Sequence, residues 1–236
     1  MRIPLLKIKY LFDGTFFRVF PGSHVRIGSG VEISRSKIIV SAGATLSIAS
    51  NVKIKDVEIY VEKGSLAIDE STILQGESRV KRTKLIINDG QVSIGNHSKI
   101  SCDRIWVRFG ATLSVGDYTN VNQGSEIRCD ESITLGSYNQ ISYRVKIWDT
   151  NTHSILSPED RRRVAKHYYP YYGYEETKPE TKPIIIGNDC WLGESVAILK
   201  GSCIGDRAII GFQTTITGKT IPADSRVVQD VQLKIM

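Results

Sequence analysis

The chain has 236 residues and a formal net charge of +6, and 41% of its residues are hydrophobic but only 8% aromatic. This length suits a single domain, and the apolar opening segment, residues 3–12, is too short and too interrupted by Lys for a signal peptide or a membrane span. The Lys and Arg residues form no aromatic-interleaved stripe, so the charge does not predict a nucleic-acid partner. We expect a cytoplasmic protein with at most a peripheral membrane contact.

Short apolar runs recur along the N-terminal half of the chain, and a Gly often precedes or follows them. Their last aliphatic residues are separated by 21, 20, 26, 21 and 20 residues, and these are Ile27, Ile48, Ile68, Ile94, Val115 and Leu135. Repetition at such a period is typical of a solenoid, in which each repeat forms one turn. We predict that residues 1–20 cap the first turn, because an end turn otherwise exposes its core and its strand edges.

Towards the C-terminus the repetition becomes strict, with an aliphatic residue at every sixth position. These residues are Ile186, Leu192, Ile198, Ile204, Ile210 and Ile216. A helix has a period of 3.6 residues and a strand a period of 2, so neither explains a period of six. Hexapeptide repetition is typical of a parallel β-helix, in which each hexad forms one short strand and one corner.

We therefore predict an all-β protein with a single domain over residues 1–236, a parallel β-helix of about nine or ten coils. Three hexads make 18 residues, so the N-terminal coils carry a few additional residues, which we expect as bulges at the corners. Residues 223–236 are predicted to form a C-terminal strand or tail. The cysteines show no CxxC spacing and are expected to be reduced packing residues; they are Cys102, Cys129, Cys190 and Cys203.

One segment breaks the repeat. The coil through Ile147 keeps the period of six, His153 takes the place of the next aliphatic residue, and the pattern resumes only at Ile186. We predict a long protruding loop over residues 154–182, which either lines a sugar or cofactor site or packs on a neighbouring subunit. Its tyrosines favour order over disorder, and they are Tyr168, Tyr169, Tyr171, Tyr172 and Tyr174.

Three segments resemble the hexapeptide-repeat acyltransferases, the left-handed β-helix enzymes that use acetyl-coenzyme A. Residues 185–193 read IIGNDCWLG, similar to the family's IIGD-x-x-WIG, and residues 198–206 read ILKGSCIGD, similar to its ILPGVTIGD. Residues 148–154, WDTNTHS, resemble the segment that carries the family's active-site His just before its protruding loop. By pattern, the sugar O-acetyltransferases of surface-polysaccharide pathways are the most similar. The resemblance implies a left-handed helix and a homotrimer.

The segment before the predicted loop provides the candidate catalytic residues. Acyl transfer from a thioester needs a base that takes the proton of an incoming hydroxyl or amine near neutral pH, and imidazole suits this task. The resemblance identifies His153 as that base. Asp149 lies four residues earlier. It either orients the imidazole, as a carboxylate does in a triad, or caps a corner turn.

The resemblance also implies where the acyl donor binds. In the family the pantetheine arm lies in a groove between two subunits, in contact with backbone groups of the last coils. Gly193 would then supply an amide to the thioester oxyanion, with Trp191 beside it at the mouth of the groove or packed between subunits. Phe212 and Thr217 match positions that follow the pantetheine, and Lys219 matches the basic residue near the phosphates.

The predicted function is acetyl transfer from acetyl-coenzyme A to a sugar hydroxyl in surface-polysaccharide biosynthesis, without a metal. An N-acyltransferase acting on a nucleotide-linked amino sugar is the first alternative, and a purely structural β-helix is the second. Zinc carbonic anhydrases share the fold but need two His residues five positions apart, and the four dispersed His residues of this chain lack that spacing. Only the acceptor pocket distinguishes O-acylation from N-acylation.

Overall fold

The computed structural model describes residues 13–171 and 177–232. Within these ranges the strands form three sheets of nine parallel strands each, and every coil contributes one strand to each sheet. The prediction of an all-β parallel β-helix of about nine or ten coils is therefore confirmed. Its left-handed sense, which rests on the resemblance, stays a prediction.

The three sheets form the sides of a triangular prism, and we name them A, B and C in chain order. Sheet A consists of β1 (Phe16–Val19), β4 (Lys37–Val40), β7 (Val57–Val61), β10 (Thr83–Ile87), β13 (Arg104–Val107), β16 (Glu126–Cys129), β19 (Lys146–Trp148), β22 (Ala197–Leu199) and β25 (Thr215–Thr217). Sheet B consists of β2 (His24–Ile27), β5 (Thr45–Ile48), β8 (Gly64–Ile68), β11 (Gly90–Ile94), β14 (Ala111–Val115), β17 (Ser132–Leu135), β20 (Ile184–Ile186), β23 (Cys203–Ile204) and β26 (Thr220–Ile221). Sheet C consists of β3 (Glu32–Ser34), β6 (Lys53–Lys55), β9 (Ile73–Gln75), β12 (Lys99–Ile100), β15 (Asn120–Val121), β18 (Gln140–Ile141), β21 (Trp191–Leu192), β24 (Ile209–Ile210) and β27 (Arg226–Val227).

The core is a stack of aliphatic side chains inside the prism. Successive side chains of a strand point to opposite faces of its sheet, so every second residue of these strands is buried. In β13, for example, Ile105 and Val107 are fully buried while Trp106 points outward. Residues in register form columns along the prism, such as Leu46, Leu66, Val92, Leu113 and Ile133 of sheet B. Burial of these columns is the main stabilising contribution to the fold.

The corners, named here by the sheets that they join, use left-handed backbone conformations. At the A–B corner Gly64 has a φ of +106°, and a Cβ at this position would lie 1.8 Å from the Gly90 carbonyl oxygen of the next coil. Only glycine fits there. At the B–C corner His97, Tyr118 and Tyr138 adopt φ values of 56°, 52° and 61°, a conformation that costs non-glycine residues about 1 kcal/mol or more each.

The N-terminal coils are longer than the C-terminal ones mainly because their strands are longer. Strands β7 and β8 have five residues each, whereas β22 has three and β23 has two. Most of the additional residues thus extend the ladders, and the expectation of corner bulges was wrong for these coils. The exception is the seven-residue connection 76–82 at the C–A corner between β9 and β10.

At the N-terminal end the solenoid begins earlier than predicted. Phe17 packs on the core within β1, so the solenoid begins before residue 20 and a cap is confined to residues that precede β1. Residues 1–12 and 233–236 lie outside the described residues. Strand β27 pairs with β24 and adds a strand to the last coil within residues 223–232.

The segment predicted as a protruding loop contains helix α1 (Pro158–Tyr168). Among the described residues no helix is long and apolar enough to cross a membrane. All four cysteines are free thiols. Cys102 and Cys190 are buried in the core, and burial raises the pKa of the Cys102 thiol to about 12, so this thiol is inert at neutral pH.

Candidate active site

The excursion that contains α1 leaves the solenoid at the A–B corner, directly after β19. Its two ends pair with each other, because Thr150 and Thr181 form an antiparallel bridge and the Lys182 amide donates to the Asp149 carbonyl at 2.9 Å. Sheet B then resumes with β20. His153 lies just inside the paired base of the excursion, and its side chain is exposed. A substrate can therefore reach the imidazole.

Helix α1 begins at a local capping signal. The Ser157 hydroxyl accepts the Asp160 amide at 3.1 Å, and Pro158 occupies the first helical turn, where its missing N–H is not needed. Of the helix residues only Val164 is buried. The helix thus presents most of its surface outward. Of the predicted tyrosine cluster, Tyr168 ends α1, and Tyr169 and Tyr171 beyond it are 70% and 75% exposed. Tyr172 and Tyr174 lie outside the described residues.

Asp149 is fully buried and holds the A–B corner of the preceding coil, between β16 and β17. One carboxylate oxygen accepts the Asp130 amide and the other accepts the Glu131 and Ser132 amides, each at 2.8 Å. Burial raises the pKa of the Asp149 carboxyl, and these amide hydrogen bonds oppose the rise. This geometry supports the turn-capping interpretation of Asp149. A direct role in orienting the imidazole stays a prediction.

A buried ion pair anchors the residue before His153. The Arg108 guanidinium binds the Asp130 carboxylate through two hydrogen bonds of 2.9 and 2.7 Å, and both side chains are nearly inaccessible. Arg108 also donates to the Thr152 carbonyl at 3.5 Å. Arg128 donates to the Thr152 hydroxyl at 3.2 Å, and Thr152 has a φ of 69°. Two arginines from the preceding coils therefore fix the backbone that carries His153.

The outer face of sheet A continues this network as a cation–π ladder. Strand register places Trp106, Arg128 and Trp148 side by side on β13, β16 and β19. The Arg128 guanidinium lies 4.3 Å from the Trp148 ring centroid and 6.0 Å from that of Trp106. Arg108, in the same coil as Trp106, lies 4.3 Å from the centroid of that ring. Because the two Arg128 contacts each join neighbouring coils, the ladder links three coils next to His153.

Sequence reasoning did not find Arg108, Arg128 or Asp130. The signal was present, since Arg108 and Asp130 are 22 residues apart and thus about one coil apart. This spacing indicates a contact between the two residues only when the length of each coil is known.

The residues predicted near the thioester lie towards the C–A corner of the last coils. Trp191 and Phe212 are 55% and 61% exposed, which leaves both rings accessible to a ligand. The Gly193 amide donates to the Ile210 carbonyl at 2.7 Å within the ladder. This proton is therefore engaged, and the predicted oxyanion contact of Gly193 has no free donor in this structure. A Cβ at Gly193 would lie 2.9 Å from the Phe212 nitrogen, so the coil stacking itself requires glycine.

The other predicted donor contacts lie on a different side of the prism. Thr217 ends β25, and Lys219 follows at the A–B corner, where both side chains are exposed. His153 and Lys219 therefore share the A–B corner, whereas Gly193 and Phe212 share the C–A corner. The three-residue strands of sheet A separate these corners by about 10 Å, at about 3.3 Å per residue. One chain does not bring the predicted site residues together.

Over residues 13–171 and 177–232 no group of three or more His, Cys, Asp or Glu side chains is arranged to hold a metal ion.

Similarity to known proteins agrees with the repeat and with the fold. Residues 183–218 match the family described as bacterial transferase hexapeptide (six repeats). This segment is thus similar to the hexapeptide repeat of bacterial transferases. It is 28% identical over 152 residues to WbbJ of Escherichia coli (strain K12), named for O-acetyl transfer in lipopolysaccharide biosynthesis, and this match covers 64% of the chain and 74% of WbbJ. The predicted resemblance to the hexapeptide-repeat acyltransferases is confirmed.

Two solved structures match the chain. The polysialic-acid-specific acetyltransferase NeuO matches with a TM-score of 0.54 and 19% identity, over 92% of this chain and 82% of that chain. A hexapeptide-repeat acetyltransferase of Vibrio cholerae O1 biovar eltor, solved with acetyl-coenzyme A, matches with a TM-score of 0.44 and 25% identity, over 58% of this chain and 65% of that chain. At this level of identity the likeness to NeuO shows the shared fold.

Proposed function

We propose that this chain is a cytoplasmic O-acetyltransferase that transfers the acetyl group of acetyl-coenzyme A to a sugar hydroxyl in surface-polysaccharide biosynthesis. The observation that carries the proposal is the similarity to WbbJ over 64% of the chain, together with the hexapeptide match. The position of an accessible His153 at the base of the excursion supports it. The family's chemistry supplies the donor, a thioester whose carbonyl carbon accepts the sugar oxygen.

His153 acts in this proposal as the general base. Its imidazole accepts the proton of the acceptor hydroxyl while that oxygen attacks the acetyl carbon, and the carbon–sulfur bond breaks. Arg108 and Arg128 position the imidazole indirectly, because both bind Thr152, the preceding residue. A base held in this way loses little conformational entropy when the acceptor binds.

The division of the predicted site between two corners favours an active site that two copies share. His153 and Lys219 from the A–B corner of one copy would face Gly193 and Phe212 from the C–A corner of the next. Three such contacts close a ring, and closed cyclic symmetry is the common arrangement of homo-oligomers. We therefore propose a homotrimer. Light scattering that gives a monomer at working concentration would contradict it.

The exposed side chains fit the chemistry of coenzyme A. Phe212 and Trp191 offer accessible aromatic surface for the pantetheine arm, and the accessible ammonium of Lys219 suits a phosphate. We expect binding in the low to middle micromolar range, about −7 kcal/mol. Lys219→Ala should weaken this binding without a change in thermal stability, and isothermal titration calorimetry measures it.

The decisive test is His153→Ala. Release of coenzyme A from acetyl-coenzyme A is measured against a panel of sugar nucleotides and oligosaccharide repeat units. Turnover should fall by about two to four orders of magnitude, the usual contribution of a positioned base. Coenzyme A affinity and oligomeric state should not change.

His24→Ala is the matched control, because His24 is an exposed outward side chain of β2, far from the excursion in sequence. Full turnover of the His153→Ala protein would place the base elsewhere. Turnover only with amino sugars as acceptors would favour N-acylation.

A further inference from the structure

A second concave site lies outside the residues discussed so far. A groove of about 640 Å³ runs along the C–A corner of the middle coils, a volume in the range of pockets that hold small ligands. Residues 76–82 form one wall, and the other wall consists of the outward side chains that begin β13, β16 and β19, with the corner residues that precede them.

The connection 76–82 is an ordered turn, and the residue at its tip does not pack on the core. The Lys81 amide donates to the Ser78 hydroxyl at 3.1 Å, and the Ser78 amide donates to the Lys81 carbonyl at 3.2 Å. Val80 at the tip is 92% exposed. The segment thus extends the longest N-terminal coil without burying its apolar tip, so packing does not explain why it is there.

The groove has a strong excess of positive charge. Six cationic and three acidic side chains line it, a net excess of three positive charges. The cationic residues are Lys81, Arg82, Lys84, Arg104, Arg144 and Lys146. A cleft with an excess of one sign of charge attracts ligands of the opposite sign.

Two of these cations, Arg104 and Lys146, surround a single carboxylate together with Arg128, which lies outside the lining. Glu126 is 7% exposed and accepts a hydrogen bond from Arg104 Nε at 2.6 Å. Its oxygens also lie 3.1 Å from Arg128 Nε and 4.0 Å from Lys146 Nζ. Burial acts to raise the pKa of Glu126, but the hydrogen bonds from Arg128 and Arg104 lower it overall, so the carboxylate is ionised. One carboxylate therefore faces three cations, of which Arg104 and Lys146 line the groove. Arg82 and Arg144 pair with Glu58 and Glu194, which lie outside the lining. The positive charge left for a ligand is that of Lys84 and of the cations that share Glu126.

We propose that this groove binds a carboxylate-bearing sugar residue of the acceptor polymer. Guanidinium and ammonium groups suit a carboxylate, and the half-exposed ring of Tyr143 offers an apolar face to a pyranose. The groove is a short pocket at one corner rather than an extended basic stripe, which favours a saccharide over nucleic acid. The inference rests on the proposed function and specifies its acceptor as an anionic polysaccharide.

The groove lies on the same strands that lead to the candidate base. Lys146 opens β19 within the groove, and Thr150 follows four residues later beside the paired base of the excursion, about 13 Å away at 3.3 Å per residue. A polymer chain held in the groove can therefore extend over the outer face of sheet A towards His153. The groove would hold one residue of the polymer while another is acetylated.

The test uses the full-length protein with tetragalacturonate and with uncharged maltotetraose, by calorimetry at low and high salt. Tetragalacturonate should bind at least about tenfold more tightly, and high salt should reduce the difference. Lys84→Glu should weaken tetragalacturonate binding by about tenfold. Lys99→Glu should leave it unchanged, because Lys99 is an equally exposed, outward lysine on sheet C. Coenzyme A binding should be the same in all three proteins.

Equal affinity for the two tetrasaccharides would overturn the inference, and so would an equal loss in the Lys99→Glu protein. Tighter, Lys84-dependent binding of an oligonucleotide or of anionic phospholipid vesicles would also overturn it in favour of those ligands. Turnover of neutral acceptors without tetragalacturonate binding would leave the proposed function standing and refute the groove. Lys84-dependent tetragalacturonate binding by a protein that binds no coenzyme A would refute the enzyme and support the saccharide site.

Discussion

The inner and outer faces of sheet A are built from the same strands in two different ways. On the inner face of β13, β16 and β19 the column consists of Ile105, Ile127 and Ile147, all essentially inaccessible. On the outer face the parallel column consists of Trp106, Arg128 and Trp148. The inner column is uniform and non-directional, whereas every member of the outer column has a specific partner.

This difference separates stability from positioning. Apolar burial contributes about 25 cal/mol per Å² wherever the side chain fits, so the inner column stabilises the prism without fixing any one group. A cation–π contact or a partly exposed ion pair contributes only about 0.5–2 kcal/mol, but it constrains distance and angle. The outer column is therefore suited to holding Thr152 and His153 in place.

The largest expected effect is on the inner face. Ile127→Ala removes a fully packed side chain between two coils, and the prism cannot collapse around the cavity because the neighbouring coils fix its width. We expect a loss of about 2–5 kcal/mol in the free energy of unfolding, measured by chemical denaturation. Thr134→Ala, an exposed outward position of β17, should change it by less than about 0.5 kcal/mol. A similar cost for both variants would mean that the two faces are not distinct.

The second effect concerns Asp149, which directly follows β19 at the A–B corner, where the inner and outer faces of sheet A end. Asp149→Ala leaves the Asp130, Glu131 and Ser132 amides without their acceptor, and we expect a loss of about 2–3 kcal/mol in the free energy of unfolding. Asp149→Asn keeps one acceptor oxygen and should cost less.

The pH profile of turnover distinguishes the two roles of Asp149. A capping residue changes stability alone, whereas a residue that orients His153 also shifts the pH profile in the Asp149→Asn protein. An unchanged stability of Asp149→Ala would contradict the capping geometry.

The inner face could be predicted from the sequence and the outer face could not. The inward positions must be aliphatic at every sixth residue in the C-terminal coils, so the period is visible without a structure. Outward neighbours such as Arg128 and Trp148 are separated by a whole coil, and the length of a coil varies along the chain. Their contact therefore depends on a strand register that cannot be read from the sequence.

Local signals were also missed at the excursion. Ser157, Pro158 and Glu159 form a recognisable helix start, but the surrounding prolines and tyrosines favoured a loop. His153 could be proposed because the segment around it resembles a family motif. The anchoring of Thr152 by Arg108 could not, because 44 residues separate the two.

The third effect tests the outer ladder directly. Arg128→Ala removes the contact with Trp148 and the bond to Thr152, and we expect a loss of about 1 kcal/mol in the free energy of unfolding. Turnover should fall more than this loss suggests, since His153 loses an anchor. Arg128→Lys keeps the charge but not the planar stacking of the guanidinium. Compared with Arg128→Ala, it should restore the free energy of unfolding more fully than it restores turnover. Equal recovery of both would show that charge alone matters.

The smallest effect is the acid dependence of stability from Glu126. Hydrogen bonds from Arg128 and Arg104 outweigh burial and keep the pKa of Glu126 below its ordinary value of about 4.3. A carboxyl group with a lowered pKa in the folded state stabilises the protein above its unfolded pKa, and this contribution is lost as the pH falls through the folded value. The free energy of unfolding of the native protein should therefore decrease more steeply below about pH 4.3 than that of Glu126→Gln.

Asp56 is a control within both proteins. The Arg35 hydrogen bond lowers the pKa of Asp56, and this carboxyl group titrates in the same way in the native protein and in Glu126→Gln. The difference between the denaturation curves of the two proteins therefore reports on Glu126 alone. Parallel curves from neutral to acid pH would mean that the three cations around Glu126 do not stabilise its charge, and the outer face would then contribute nothing to stability through this cluster.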